Sequence, residues 1–441
     1  MIKWLMIFNE DCSFFLSFII CIASYYNSKA ETKVEYGGQK NDTIFFDLKW
    51  STDKDKLLIK QEIDLNGAVC KLPPQKTLEF KGGKIKNGTL IGNQTELQFS
   101  EKIFDNVHIK GTWIVPKISS SMFVDLSSES SLKNVLALAN PKVPNSIVIE
   151  KGDYQVAARK NADVCLAIPG NTFLIINGTI RLKPNIYPRC DIIRAKGNNI
   201  KISGSGSIVG DKHAHLGTDG EWGMGIRFHG ATNSSVRDIT IKDCWGDCIY
   251  VGGNSKNIVI ENCILDHGRR QGVSVTKADG VTIRNCRISN VSGTNPQYAI
   301  DLEPNKNDTV DNVLIENVII ENCEGGILAT KGLKSDKTTI GSFVIRNCSL
   351  SVLSRFPIRI RRSQSALVEK CVINATNKTP SIYSENINHV VIRDNTINIE
   401  SSFVSSVKNQ IKQLSGKGSY QPIKVIGASK KTVNNNIVFE K

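Results

Sequence analysis

The sequence predicts an all-β fold built as a β-helix, a solenoid of short stacked strands, and three observations predict it. First, the phrase apolar-x-Ile-x-Asn/Asp-Cys recurs through the C-terminal half. It appears as ITIKDC ending at Cys244, IVIENC at Cys263, VTIRNC at Cys286, VLIENV at Val318, FVIRNC at Cys348, ALVEKC at Cys371 and VVIRDN at Asn395. Its intervals of about 19 to 32 residues fall in the range of solenoid repeats. Second, another apolar phrase follows each of these after a short turn: GIRF at Ile226, CIYV at Ile249, GVSV at Val273, AIDL at Ile300, GILA at Ile327, PIRI at Ile358 and SIYS at Ile382. Apolar residues alternate in both phrases, so each strand buries one face. Third, aromatic residues make up only 7% of the 441 residues against 34 Gly, as expected of many short aliphatic rungs and turns.

The elements follow in order. Lys3, the apolar run Phe14 to Tyr26 and the small residues Ser28 and Ala30 read as a signal peptide over residues 1–30, opposed by Glu10 and Asp11 and with a membrane anchor as the alternative. No later segment is apolar for long enough to span a bilayer. Residues 31–120 hold short β-phrases (Gly82 to Asn93, Lys102 to Val115) and read as an N-terminal β module, with Ser119 to Ser121 at its boundary. Residues 121–441 form the β-helix domain. Ser131 to Ala139 reads as a helix capping it, because an open strand edge invites association. Val404 to Leu414 reads as one short helix in a loop.

The polar residue before each Cys position (Asp243, Asn262, Asn285, Asn317, Asn347, Asp394) suggests a stacked column at a bend, broken by Lys370. The same register would stack Cys244, Cys263, Cys286, Cys348 and Cys371 as reduced, buried thiols. The chain contains no CxxC or Cys/His metal spacing. Its net charge of +14 implies a polyanionic partner. Export would leave an acidic polysaccharide or cell surface and remove nucleic acid, for which no recognition module is present.

The stretch Ser131 to Asn305 resembles the right-handed parallel β-helix proteins of the pectate lyase / polygalacturonase-like superfamily. IVIEKGDY (Ile147 to Tyr154), ISGSGSIVGD (Ile202 to Asp211), GDCIYVGG (Gly246 to Gly253), RRQGVSV (Arg269 to Val275) and QYAIDLEPN (Gln297 to Asn305) carry the likeness. The resemblance implies right-handed coiling. It leaves the chemistry open, because this fold hosts lyases, hydrolases, epimerases and non-enzymatic fibres.

Alternation serves as a ruler for the second phrase. With Ile226, Ile249, Val273, Ile300, Ile327 and Ile358 inward, the residues one and three later point outward. His229, Tyr250, Asp301, Glu303, Arg359 and Arg361 should then line one exposed ribbon, with Arg227 beside them. The small residues Gly225, Cys248, Gly272, Ala299 and Gly326 should leave a shallow groove along it. Asp301 and Glu303 share a strand face, and Asp247 lies two rungs earlier. Carboxyls roughly 6.5–9.5 Å apart suit inverting hydrolysis, where one protonates the leaving oxygen and the other activates water. Arg227, Arg270, Arg359 and Arg361 are the candidates to bind uronate carboxylates. A solvated polar strip is the bland alternative.

GDCIYV is similar to the polygalacturonase GDDCI motif, with Gly246 in place of its first aspartate and only Asp247 kept. The family's earlier aspartate, from an NTD motif, falls at Met224. His267 lies near the family's GHG position, and PIRIR at Pro357 to Arg361 resembles its RIK motif. YAIDLE is similar to the YGFDPH motif of alginate epimerases and lyases, with Tyr298 and Asp301 kept and Glu303 replacing the His. That likeness implies Tyr250 or Tyr298 as acid and His229 as base, unless Tyr298 packs in the core. The polar loop Gly210 to Gly223 adds Glu221 as acid/base and Trp222 as a sugar platform. Asp211, Asp219 and Glu221 offer Ca²⁺ ligands there; otherwise no cofactor is required.

The reading is therefore a carbohydrate-active enzyme, secreted, periplasmic or on the cell surface, acting as a monomer or homotrimer. It would cleave an acidic, uronate-containing polysaccharide by hydrolysis or β-elimination. The rival is a non-catalytic glycan-binding or adhesion solenoid.

Overall fold

The computed structural model describes residues 34–40, 43–48, 55–125, 129–331, 337–376, 379–400 and 421–440. The expected signal peptide and the helix at Val404 to Leu414 lie outside the described residues. From Ile118 onward the chain winds as a right-handed parallel β-helix whose rungs stack in three columns. The first runs from Val164–Ile168 through Asp191–Asn198, Ile249–Gly252, Gln271–Val275, Tyr298–Leu302, Gly325–Thr330 and Ile358–Arg361 to Ile423–Ile426. The second includes Ser255–Glu261, Ala278–Arg284 and Thr309–Glu316. The third includes Thr240–Lys242, Ile264–Asp266 and Arg287–Ser289. Ile226–Arg237 serves both the first and second columns and turns at Gly230, whose φ is 69°.

The aliphatic ruler holds. Ile193, Ile226, Ile249, Val273, Ile300, Ile327, Ile358 and Ile382 pair in one unbroken register, each with essentially no exposure. Burying each such side chain stabilises the fold by about 1.5–3 kcal/mol.

The bends between columns explain the recurring Asn. Asp238, Asn262, Asn285, Asn317, Asn347, Lys370 and Asp394 all have φ between 53° and 57°. That left-handed region costs most L-residues about 1 kcal/mol, and Asn and Asp relieve it through local hydrogen bonds. Asn262 donates to Asp238 Oδ1 at 3.0 Å and Asn317 to Asn285 Oδ1 at 3.2 Å, linking rungs. Lys370 interrupts the side-chain ladder while keeping the same φ of 55°.

One register assignment is corrected. Asp243 and Cys244 belong to a different bend, after the third column, together with His267, Asn290 and the Asn322–Cys323 pair. Cys263, Cys286, Cys348 and Cys371 follow the first bend. The same dipeptide ends both columns because both bends need a left-handed residue followed by a small inward one. The described cysteines are all buried. Cys263 and Cys286 donate to the carbonyls of Glu261 and Arg284 at 3.3 and 3.2 Å.

Upstream, strands between Lys56 and Ile114 form a further, largely parallel sheet, in which Lys84–Gln98 pairs with Phe104–Ile114. The capping helix spans Glu129–Ala137, with Leu132 and Val135 buried. Its Asn134 accepts from the N–H of Ile109 at 3.0 Å and donates to Val107 O at 2.7 Å, pairing main-chain groups of Phe104–Ile114. One apolar core continues from this sheet past the helix into the β-helix.

Candidate active site

The first column enters each strand through a local distortion that alternation alone does not reveal. A Cβ on Gly225 would lie 2.5 Å from Ile241 Cγ2, on Gly272 2.4 Å from Ile288 Cγ2, and on Gly326 2.1 Å from Pro357 O and 2.9 Å from Leu350 Cδ2. These residues, with Cys248 and Ala299, face inward beside the aliphatic that follows each of them. The small residues thus let the first and third columns approach, and they do not form the expected groove. Because two successive residues turn inward, the residue before them turns outward. Asp191, Met224, Asp247, Gln271, Tyr298, Gly325 and Phe356 therefore form an outer column beside Arg227, Tyr250, Ser274, Asp301, Leu328 and Arg359.

Where these two columns meet, a closed polar network forms. Ser274 Oγ donates to Asp247 Oδ2 at 2.6 Å and lies 3.0 Å from Gln271 Oε1. Gln271 Nε2 donates to Asp301 Oδ2 at 2.8 Å. Arg270 covers the group: its Nη1 donates to Gln271 Oε1 at 2.6 Å and stands 3.8 Å from Asp247 Oδ2. Its Nη2 donates to Glu303 Oε2 at 2.9 Å, and its Nε faces Glu221 Oε2 at 3.4 Å. Asp247, Asp301 and Gln271 are all 0% exposed. The expectation that Asp301 lies on an open ribbon is thus corrected: its side chain does lie on the outer side of the rung, but Arg270 and its neighbours close over it.

Burial sets the electrostatics. It pushes the Asp247 carboxyl up to about 7, against the opposing pull of Arg270 and Ser274. It holds Asp301 well above the usual carboxylate range, reinforced by the charge of Glu303. Each aspartate keeps one buried oxygen, Oδ1, without a hydrogen-bond partner. Burial also works against the charge on Arg270, and Asp247, Glu303 and Glu221 more than offset it. Two carboxyls in one cluster, both raised by burial and one of them to near neutrality, are equipped for general acid–base work.

The loop from Gly210 to Gly223 completes the cluster by delivering Glu221. His215 stacks on Trp245 at 3.8 Å and bonds Asp211 Oδ2 through Nδ1 at 2.8 Å. Arg269 lies over the other part of that indole at 3.7 Å and donates to Gly220 O at 2.7 Å. Trp222 is 41% exposed, with the Arg189 guanidinium 5.2 Å from its ring centre. Of the residues offered for Ca²⁺, Asp211 is engaged by His215 and Asn185, while Glu221 faces Arg270. Among the described residues, no three His, Cys, Asp or Glu side chains gather to hold a metal ion.

The remaining predicted residues flank this centre. On the N-terminal side Arg227 lies 4.4 Å over the Tyr250 ring and 3.7 Å from buried Asp191, which Arg194 also binds through Nε at 2.6 Å. Tyr250 shares a 2.8 Å hydrogen bond with Thr276. Burial, with Arg227 adding to it, holds His229 below the usual imidazole range and therefore neutral. Tyr250 stands on the rung of Asp247, in register with Ser274, and His229 lies one rung earlier, opposite Gly252. On the C-terminal side Arg359 lies beside the packed Phe356–Tyr383 pair, 5.0 and 5.9 Å from their ring centres. Arg361 is paired with Glu385 at 2.8 Å. Tyr298 lies over Gly325 on the outer side, toward Arg359, and is not part of the aliphatic core. The structure thus joins Asp247, Asp301, Glu303, Glu221 and Arg270. Sequence reasoning missed Gln271 and Ser274 as the linkers, and Asp191. Extending the ruler two residues upstream of each aliphatic finds Gln271 and Asp191.

Comparison with known proteins bears on the fold. An uncharacterized protein of Bacillus subtilis (strain 168), YclG, is 29% identical over 224 residues, which are 44% of this chain and 38% of that protein. The SPbeta prophage-derived uncharacterized protein YorA of the same organism is 31% identical over 163 residues, 31% of this chain and 28% of that one. The matched stretches therefore span well under half of either relative. Among solved structures, the A-module of the Azotobacter vinelandii mannuronan C-5 epimerase AlgE4 is similar in backbone, with a TM-score of 0.50 at 12% identity, covering 73% of this chain and 97% of that module. The family described as right handed beta helix region matches residues 159–309 and 272–440. With most of the chain covered, and with three parallel columns in register, the protein belongs to the right-handed β-helix family.

Proposed function

We propose that this chain is an exported enzyme that cleaves an acidic, uronate-containing polysaccharide by hydrolysis at the Asp247–Asp301 pair. One observation carries the reading: two buried carboxyls, joined through Ser274 and Gln271 beneath Arg270, with Asp247 pushed up to about 7 and Asp301 held well above the usual carboxylate range. In this reading Asp301, which burial biases toward its protonated form, is the general acid that donates to the leaving glycosidic oxygen. Asp247, ionised above about pH 7 and favoured in that form by Arg270, is the base that activates water. Two rungs separate their strands, roughly 9.6 Å of backbone, and the Ser274 and Gln271 side chains fill the space between the two carboxyls. Arg270 leaves its carboxylate partners when a substrate carboxylate takes their place, and so uncovers the pair. The backbone likeness to an epimerase module says nothing of substrate, so the substrate class rests on the arginines of this face. The apolar run at Phe14 to Tyr26 supports export.

A second reading, glycan binding without turnover, is favoured by the complete burial of both aspartates. The test is incubation of the purified chain with polygalacturonate, alginate and glycosaminoglycans. New reducing ends without unsaturated uronate are expected. Unsaturated uronate would replace hydrolysis by β-elimination, and saturable binding with no product over long incubation would favour the second reading.

A further inference from the structure

We propose that the outer face of the first column holds an internal stretch of its polyanionic glycan, gripping acidic groups on both sides of the carboxyl pair, so that cleavage is internal to the chain. This rests on the function proposed above and adds the binding mode. The N-terminal subsite is Arg194 and Arg227 around Asp191. The two guanidinium groups share that one buried carboxylate and leave a net positive charge. Arg227 Nε is buried without a hydrogen-bond partner, and exposed Lys196 adds charge on the next outward position of the Arg194 strand. Tyr250, under Arg227, offers an aromatic floor.

The C-terminal subsite is Arg359 with Arg355. Arg359 makes no ion pair among the described residues, its Nε is buried without a partner, and it rests beside the packed Phe356–Tyr383 pair. Arg355 donates to Asn295 Oδ1 at 2.6 Å and meets no carboxylate among the described residues. Burying guanidinium groups this way costs free energy unless an anion joins them. Arg227 and Arg359 lie five rung steps apart, about 24 Å at roughly 4.8 Å per step. Asp247 sits one rung inside the first, and Asp301 two rungs inside the second. A site that grips only a chain end needs no second anion subsite beyond the reacting bond.

The experiment is affinity electrophoresis of the full chain in gels cast with polygalacturonate, alginate or heparan sulfate, alongside a neutral polysaccharide. Arg227→Gln and Arg359→Gln should each weaken retardation by the preferred polyanion about tenfold. Arg227→Lys and Arg359→Lys should fall between, with unchanged melting temperatures showing that the fold is kept. A uronate disaccharide, able to occupy one side only, should be insensitive to at least one of the two Gln substitutions. Early products should be a spread of oligomers. The proposal is overturned if no polyanion retards the wild-type chain, if either Gln variant binds polymer as the wild type does, or if only mono- and disaccharides appear from the start. Retardation that depends on both arginines, with no product, would sink the hydrolase reading and leave the two subsites standing. Cleavage indifferent to both arginines would do the reverse.

Discussion

The bend after the second column and the outer face of the first column are stacked at the same rung spacing, yet they read differently. The bend repeats one residue type, Asn or Asp, at rung after rung, because every rung needs the same left-handed backbone there. The outer face changes at each step: Arg227, Tyr250, Ser274, Asp301, Leu328, Arg359. Repetition in a solenoid marks what the coil needs to close. A non-repeating column is free of that demand, and here it is where buried acids and guanidinium groups collect. Regularity therefore locates the architecture, and its breakdown locates the chemistry.

The predictions attack this division from the largest effect down. Asp301→Asn removes the proposed general acid and keeps shape and burial, so turnover should fall by about 10²–10⁴-fold with little change in the melt. Its strand neighbour Ile300, one position away but inward, should behave oppositely. Ile300→Ala should cost about 2–5 kcal/mol in denaturant unfolding, while the remaining folded fraction keeps its activity.

Asp247→Asn should separate the two regions by pH. Because the folded-state pKa of Asp247 is raised from 3.8 to about 7, its contribution to stability is complete below about pH 4 and is lost as pH rises through about 7. The Asn variant carries no such loss. It should melt like the wild type at pH 4 and at a higher temperature at pH 8, which thermal scans at the two pH values will show.

The smallest effect belongs to the bend. Lys370 holds a φ of 55° without the side-chain amide of its neighbours. Lys370→Asn should stabilise the chain by a few tenths to about 1 kcal/mol, and Asn285→Ala should destabilise it by about 1 kcal/mol, both without effect on activity.

Much of this was legible in the sequence. The inward aliphatics fixed register from Ile226 to Ile382, and that register correctly put Arg227, Tyr250, Asp301 and Arg359 in one column. Three things were not legible. Asp243–Cys244 reads like Asn262–Cys263 because both bends impose the same left-handed geometry, and only strand pairing tells them apart. The inward turn of Gly225, Gly272 and Gly326 follows from the approach of the third column, a contact between residues distant in sequence. The burial of Asp247 and Asp301 depends on Arg270 reaching Glu303 and Glu221, and Glu221 arrives on a loop pinned by the His215–Trp245–Arg269 stack. Periodicity says nothing about such loops.

The central claim is that the buried Asp247–Asp301 pair performs acid–base cleavage of an acidic glycan. Its most direct test is the pH dependence of reducing-end release from polygalacturonate and alginate by the wild type, Asp247→Asn and Asp301→Asn. The account predicts wild-type cleavage of at least one polymer, with kcat/KM rising through about pH 7 as Asp247 ionises, and near-complete loss in both variants at unimpaired melting temperatures. Full turnover in either variant, or a wild-type profile flat across that range, would contradict it.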